Sequence, residues 1–254
     1  MSDLDTKSGE RIAALARFER REVPIPAAAL DTIIASLAAG SKDERRRAAG
    51  ALAVAARERD LVGRIEAVLD DPDPQKRWGA TFALARAGSD SDAVFDGALA
   101  ALGFDDGDVR WAALEIVVML ARSNPRRVDR TQRIVAVARE ASASGRKMAL
   151  YGLRDLEAGD EAVYTLALFS ENAGVRLAAI SGIARLPVTT AQARDALLVT
   201  VDRDADVGVR RAAAVTLAKL AGDDPEVRAA LDRIRATSTD ADLVRAAERG
   251  LPKR

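Results

Sequence analysis

The sequence predicts an all-α fold: a right-handed α-α superhelix (solenoid) of about seven two-helix repeats behind an N-terminal capping helix. Three observations predict it. An arginine returns as Arg45, Arg77, Arg110, Arg146, Arg176, Arg210 and Arg245, at spacings between 30 and 36 residues. Three residues after it comes a small side chain (Ala48, Ala80, Ala113, Ala149, Ala179, Ala213), and seven after it an aliphatic one (Leu52, Leu84, Val117, Leu153, Ile183, Leu217). Four residues before it stands a side-chain oxygen: Ser41, Asp73, Asp106, Ser142, Asn172 or Asp206.

Steps of three and seven fall on one stripe of a helix. The stripe continues ten residues after the arginine with Leu120, Leu156, Leu186 and Leu220, reduced to Ala55 and Ala87 in the first two copies. The oxygen ahead of each arginine can accept a hydrogen bond from the free amides of a first helical turn. Ser41-Lys42-Asp43-Glu44 also fits a capping box. Each copy therefore contains a helix with a fixed start and an apolar face.

In chain order, residues 1–8 are polar and without periodicity, and disorder is expected there. Gly9 to Glu22 carries Ile12, Leu15, Ala16 and Phe18 among charges, which predicts an amphipathic capping helix. Val23-Pro24-Ile25-Pro26 ends it, because two prolines cannot continue a helix. The division expected is a tail and capping helix over 1–26 and a repeat array over 27–254. A first helix precedes each arginine-marked second helix, at 27–37, 61–69, 93–102, 127–138, 161–169, 191–201 and 227–234. Asp71-Pro72-Asp73-Pro74, Gly103 to Gly107 and Gly222 to Pro225 supply turns. The fourth copy departs most: its first helix follows Asn124-Pro125 and carries Arg126, Arg127, Arg130 and Arg133, and its turn, Ala141 to Gly145, has no acidic cap. That Arg126 to Arg139 segment is a possible second binding surface. The seventh copy is short, with Ala246, Ala247 and Leu251 before Pro252, and a polar end from Glu248, Arg249, Lys253 and Arg254.

Composition narrows the chemistry. Lys+Arg and Asp+Glu are both 39, so net charge gives no pull toward nucleic acid or membrane. Aromatics are 4%, so the core is built from Ala, Leu, Val and Ile. There is no His and no Cys, which removes Ser-His-Asp and Cys-His catalysis, disulfides and ordinary zinc sites. No phosphate-binding glycine motif occurs. Asp70-Asp71-Pro72-Asp73 and Asp202 to Asp206 look like fragments of calcium loops but lack the glycine and distal glutamate. No paired carboxylates are singled out by spacing. The sequence predicts no enzyme, no cofactor and no metal. The polar start lacks the apolar core of a signal peptide, and no run is long enough to span a bilayer. A cytoplasmic protein is expected.

The Asp-x-x-x-Arg unit with its Ala/Leu spacing, over residues 27 to 251, resembles the HEAT-repeat family, and within it the short-unit branch named for phycobilisome lyases. Tetratricopeptide and ankyrin signatures are absent. The resemblance implies that the repeated Asp and Arg side chains pair between adjacent units as a ladder. It also implies that the second helices line a concave binding surface.

Residues one, five and eight-to-nine after the arginine lie opposite the buried stripe. They are Arg46; Trp78, Phe82 and Arg86; Trp111, Glu115 and Met119; Lys147, Tyr151 and Arg154; Leu177, Ser181 and Arg185; Arg211, Val215 and Lys219. Arg46, Trp78, Phe82, Arg86, Trp111, Glu115, Lys147, Tyr151, Arg154, Arg185, Arg211 and Lys219 form the candidate partner site. Exposed Trp and Tyr beside Arg make binding hot spots, and they also stack unpaired bases. The expected function is a non-catalytic scaffold or adaptor holding a protein or peptide, with acidic character favoured by the basic excess. The alternative is nucleic-acid binding, as in HEAT-like glycosylases acting on alkylated bases. A bilin lyase subunit is suggested only by the branch name, and the chain offers no Cys or His to anchor a pigment.

Overall fold

The computed structural model describes residues 3–38, 41–123, 127–187, 189–220 and 224–251. Among them, all regular secondary structure is helical. Helix α1 (Asp3–Glu19) is followed by seven pairs. The first helices are α2 (Leu30–Ser36, preceded by a 3-10 turn at Ala27–Ala29), α4 (Arg59–Glu66, continued by a 3-10 turn at Ala67–Asp70), α6 (Asp92–Ala101) and α8 (Arg127–Glu140). They continue with α10 (Glu161–Ala167), α12 (Ala191–Arg203) and α14 (Pro225–Thr237). The second helices are α3 (Lys42–Ala55), α5 (Pro74–Ala87), α7 (Gly107–Ser123) and α9 (Ala143–Asp155). They end with α11 (Ala173–Ile183), α13 (Val207–Leu220) and α15 (Ala241–Glu248). This is an α-solenoid fold.

Helix α1 starts at Asp3, so part of the stretch expected to be disordered is helical. The helix stops at Glu19, three residues early, in a turn where Arg21 takes a left-handed backbone at φ 58°. Asn124, Pro125, Arg126, Gly222, Pro252, Lys253 and Arg254 lie outside the described residues.

All six expected caps are made. Ser41 accepts from the Glu44 amide, Asp73 from Gln75 and Lys76, and Asp106 from Asp108 and Val109. Ser142 accepts from Gly145, Asn172 from Val175 and Asp206 from Val209. The Glu44 side chain, only 2% exposed, takes Arg11 of α1 at 3.1 Å. With Glu19 to Arg47 at 3.3 Å, it fastens α1 to α3.

The buried stripe is where the spacing put it. Ala48, Ala80, Ala113, Ala149, Ala179 and Ala213 are all fully buried, and so are their aliphatic partners four residues on. A buried Leu or Ile of this kind contributes about 1.5–3 kcal/mol. Ten residues after the arginine, Leu120 and Leu156 are buried, whereas Leu186 and Leu220 are half-exposed.

The chain divides into two compact units, Met1–Ala101 with Ala112–Leu120, and Leu102–Trp111 with Ala121–Arg254. In the first, α1 packs on α3, α3 on α5, and α5 on α6. In the second, α9, α11, α13 and α15 pack in succession, each against its own first helix.

Four of the seven marking arginines each close on two backbone carbonyls, where a ladder of ion pairs between repeats is expected. Arg77 donates to the carbonyls of Asp71 and Pro72, Arg110 to Phe104 and Asp105, Arg176 to Ser170 and Glu171, and Arg210 to Asp204 and Ala205. Every fork closes on the carbonyls six and five residues upstream, inside its own unit. Those carbonyls belong to the turn between the two helices, where no backbone donor is in register. Arg146 reaches Ala138 O instead, because its turn is the divergent one. Of the four, Arg176 also crosses to the next repeat, as a bidentate pair with Asp204 at 2.7 Å. Other crossing pairs come from arginines outside the mark: Arg194 to Asp224 at 2.8 Å and Arg211 to Asp240 at 2.7 Å.

Candidate functional site

The outward face of the second helices follows from the same geometry that buries their stripe. In the second unit its side chains touch one another across successive helices. Trp111 of α7 lies 53% exposed, with its ring 6.0 Å from that of Tyr151 on α9 and 11° from parallel. The Arg154 guanidinium sits 4.8 Å from the Tyr151 ring centre, within cation–π range. Arg154 also pairs with Asp155 at 2.8 Å and donates to Ser181 of α11 at 3.4 Å. The result is a π–π–cation stack that begins at a solvent-facing indole. Arg122 adds a tie between α7 and the end of α9 by donating to Asp155 O at 2.6 Å.

The stack supports Trp111 on the side of Tyr151, and more than half of Trp111 is exposed. A planar group arriving at the exposed indole finds an aromatic surface already ordered, which lowers the entropic cost of binding. Trp78 and Phe82 of the first unit contact each other differently, at 5.9 Å and a tilt of 56°. Both are half-buried.

The cations of the candidate site separate into two groups. Arg46 is held by Asp43 at 3.1 Å, Arg154 by Asp155, and Arg211 by Asp240 and by Asp242 at 3.3 Å. The hydrogen bond with Asp240 raises Arg211 above its ordinary pKa, and the same bond holds Asp240 below the usual carboxylate range. Arg211 thus belongs to the inter-repeat pairing. Arg86, Lys147, Arg185 and Lys219 have no carboxylate partner among the described residues, and neither does Glu115 any cation. Arg86 accepts Arg57 on its carbonyl, leaving its guanidinium outward.

The Arg126 to Arg139 segment is not a uniform basic face. Arg130 is fully buried and Arg133 pairs with Asp129, while Arg139 is exposed. Sequence reasoning also missed three features. Leu166, Phe169 and Val199 are 59%, 70% and 50% exposed along first helices, not second ones. A cavity of about 660 Å³ lies in the first unit, where Val23, Ile25, Val54 and Leu61 meet Arg21, Arg57, Glu58 and Asp60. Tyr164 is buried between glycines 159 and 182, and burial pushes its hydroxyl pKa upward. The proline-broken connector hinted at the cavity, but nothing in the sequence marked its walls as facing one another.

Among the described residues no group of three or more acidic side chains is placed to hold a metal ion. No described helix is long and apolar enough to cross a membrane.

Residues 160–252 match the family model for HEAT repeats. That stretch carries HEAT repeats. Its fold is similar to that of the Escherichia coli protein YibA, with a TM-score of 0.65 at 18% identity, covering 98% of this chain and 86% of the other. An engineered protein aligns at a TM-score of 0.49 and 21% identity, covering 98% of this chain and 75% of its own. A designed armadillo repeat protein crystallised with a (KR)4 peptide aligns at 0.45 and 16%, covering 87% and 97%. No curated protein sequence matches.

Proposed function

We propose that this HEAT-repeat scaffold is a non-catalytic adaptor that holds a protein or peptide partner on the outward face of its second helices. The observation that carries this reading is the Trp111–Tyr151–Arg154 stack, an exposed indole ordered from behind by three successive repeats. Large aromatics of this kind concentrate binding energy at interfaces. Lys147, Arg185 and Lys219, which meet no acid among the described residues, favour a partner with acidic character.

The test is capture from host-cell lysate after nuclease treatment, comparing the wild type with Trp78→Ala/Trp111→Ala. Loss of a retained protein in the double variant, with helicity unchanged by circular dichroism, is the expected result. Equal capture by both forms would sink the assignment of the face.

The stack also supports a second reading, since an exposed indole beside cations can take an unpaired base. Affinity for single-stranded DNA that falls steeply between low and moderate salt would bring that reading forward. No shift of labelled DNA at low salt removes it.

A further inference from the structure

The second unit presents two separate recognition points on one face, and their separation constrains what spans them. The first is the exposed indole of Trp111 on α7. The second is formed by Arg185, just past the end of α11, and Lys219, near the end of α13; both are exposed and meet no acid among the described residues. Arg185 and Lys219 each lie nine residues after their marking arginine, so they stand at one height on packed neighbours. Of the other cations on this face, Arg154 is committed to Asp155 and Tyr151, and Arg211 to Asp240 and Asp242, while Lys147 of α9 also meets no acid among the described residues.

Resting on the protein-binding reading above, we propose that the partner is an extended acidic peptide segment gripped at these two points. A planar side chain lies on Trp111, and two acids three residues apart meet Arg185 and Lys219. The spacing follows from helix geometry. Neighbouring helix axes lie about 10 Å apart, and an extended chain advances about 3.3 Å per residue, so adjacent repeats are about three residues apart. Between Trp111 and Arg185 lie two helix steps and eight residues of axial rise at about 1.5 Å each. The direct span is about 23 Å, which an extended segment covers in about seven residues. The two points divide the work: Trp111 governs how long the complex lasts, and the cation pair governs how fast it forms and how strongly salt opposes it. A nucleic-acid strand fits less well, because it carries a phosphate at every nucleotide, whereas among the described residues of this face in the second unit three cations meet no acid, Lys147, Arg185 and Lys219, one on or beside each of α9, α11 and α13.

The experiment uses the full chain and fluorescein-labelled synthetic peptides, read by anisotropy at low salt. One peptide carries Tyr, a Gly/Ser spacer of about six residues, then Asp-x-x-Asp; the other has the same composition with a spacer of about two. The long-spacer peptide is expected to bind about tenfold more tightly than the short one. Arg185→Glu/Lys219→Glu should erase that advantage, and Trp111→Ala should weaken both peptides. Equal binding of the two peptides, or indifference of the long one to the charge reversal, overturns the spacing. If Trp111→Ala still weakens both, the binding face survives and only this inference falls. Failure of both peptides to bind the wild type, or to notice Trp111→Ala, removes the face itself. Tighter binding of a charge-matched oligothymidylate replaces the peptide with a nucleic acid.

Discussion

Trp111 is exposed to solvent and stacked on Tyr151. Replacing Trp111 removes the contact surface; replacing Tyr151 leaves the indole in place but unsupported. Tyr151→Ala is therefore expected to weaken partner capture less than Trp111→Ala, by a loss of order about 0.5–1.5 kcal/mol for the ring pair. Titration of both variants with the same ligand checks the order. Tyr164 is a residue of the opposite kind, sealed in the core. A β-carbon on glycine 182 would overlap its ring, and neither can withdraw. Gly182→Ala should cost about 1–3 kcal/mol by overpacking, read as a lower urea midpoint with no change in slope. At this scale the sequence was a partial guide. It placed Trp111, Tyr151 and Arg154 on one face because that needs only helical period. It did not reveal that Arg211 is taken by Asp240, since that pairing joins residues 29 apart and depends on which neighbour's turn comes within reach. The glycines around Tyr164 were silent for the same reason: they make room for a ring on another helix.

The repeated element is a helix pair, and in four copies its corner is closed twice, by a cap oxygen and by an arginine fork. Caps were legible because acceptor and donor lie within three residues of each other. The fork was legible as a conserved spacing within the chain, but its direction was not, because carbonyl acceptors leave no trace in residue identity. Acids complete the element's chemistry. Burial works against the charge of Asp204, but Arg176 and the Asp206 amide outweigh it and hold Asp204 below the usual carboxylate range. The Val227 amide does the same for Asp224, helped by Arg194. With folded-state values depressed below the ordinary pKa of about 3.9, their stabilisation is present above that value and lost as pH falls through the folded-state range. Asp204→Asn should melt lower than the wild type at neutral pH, and the gap should close as both are taken below about pH 4. Melting curves at several pH values decide it; a gap that stays constant would mean the charge of Asp204 contributes nothing. At the far end of α5, Gly88 closes the helix with φ 98° and its chain turns so that Ser89 donates to Leu84 O. Gly88→Ala is expected to cost about 1 kcal/mol, because the left-handed region strains any β-carbon.

At the scale of the molecule, the two compact units are each a local stack, and each helix pair in them finds its core in the next. In such arrays free energy is close to a sum over repeats and their nearest interfaces. Gly182→Ala is accordingly expected to loosen the amides of α9, α11 and α13 while those of α1, α3 and α5 keep their protection, measurable by native-state hydrogen exchange. Uniform loss across both units would show a single cooperative body instead. The arginine fork has a further consequence for how such a chain changes over generations. A corner fastened to its own carbonyls asks nothing of its neighbours, so a duplicated copy arrives with its bend already set. Only the faces must then be matched, and those are lined by interchangeable Ala and Leu. Lengthening or shortening the array by one copy is thus a small step for this gene, and the spacing between recognition points can be rewritten without redesigning a single turn.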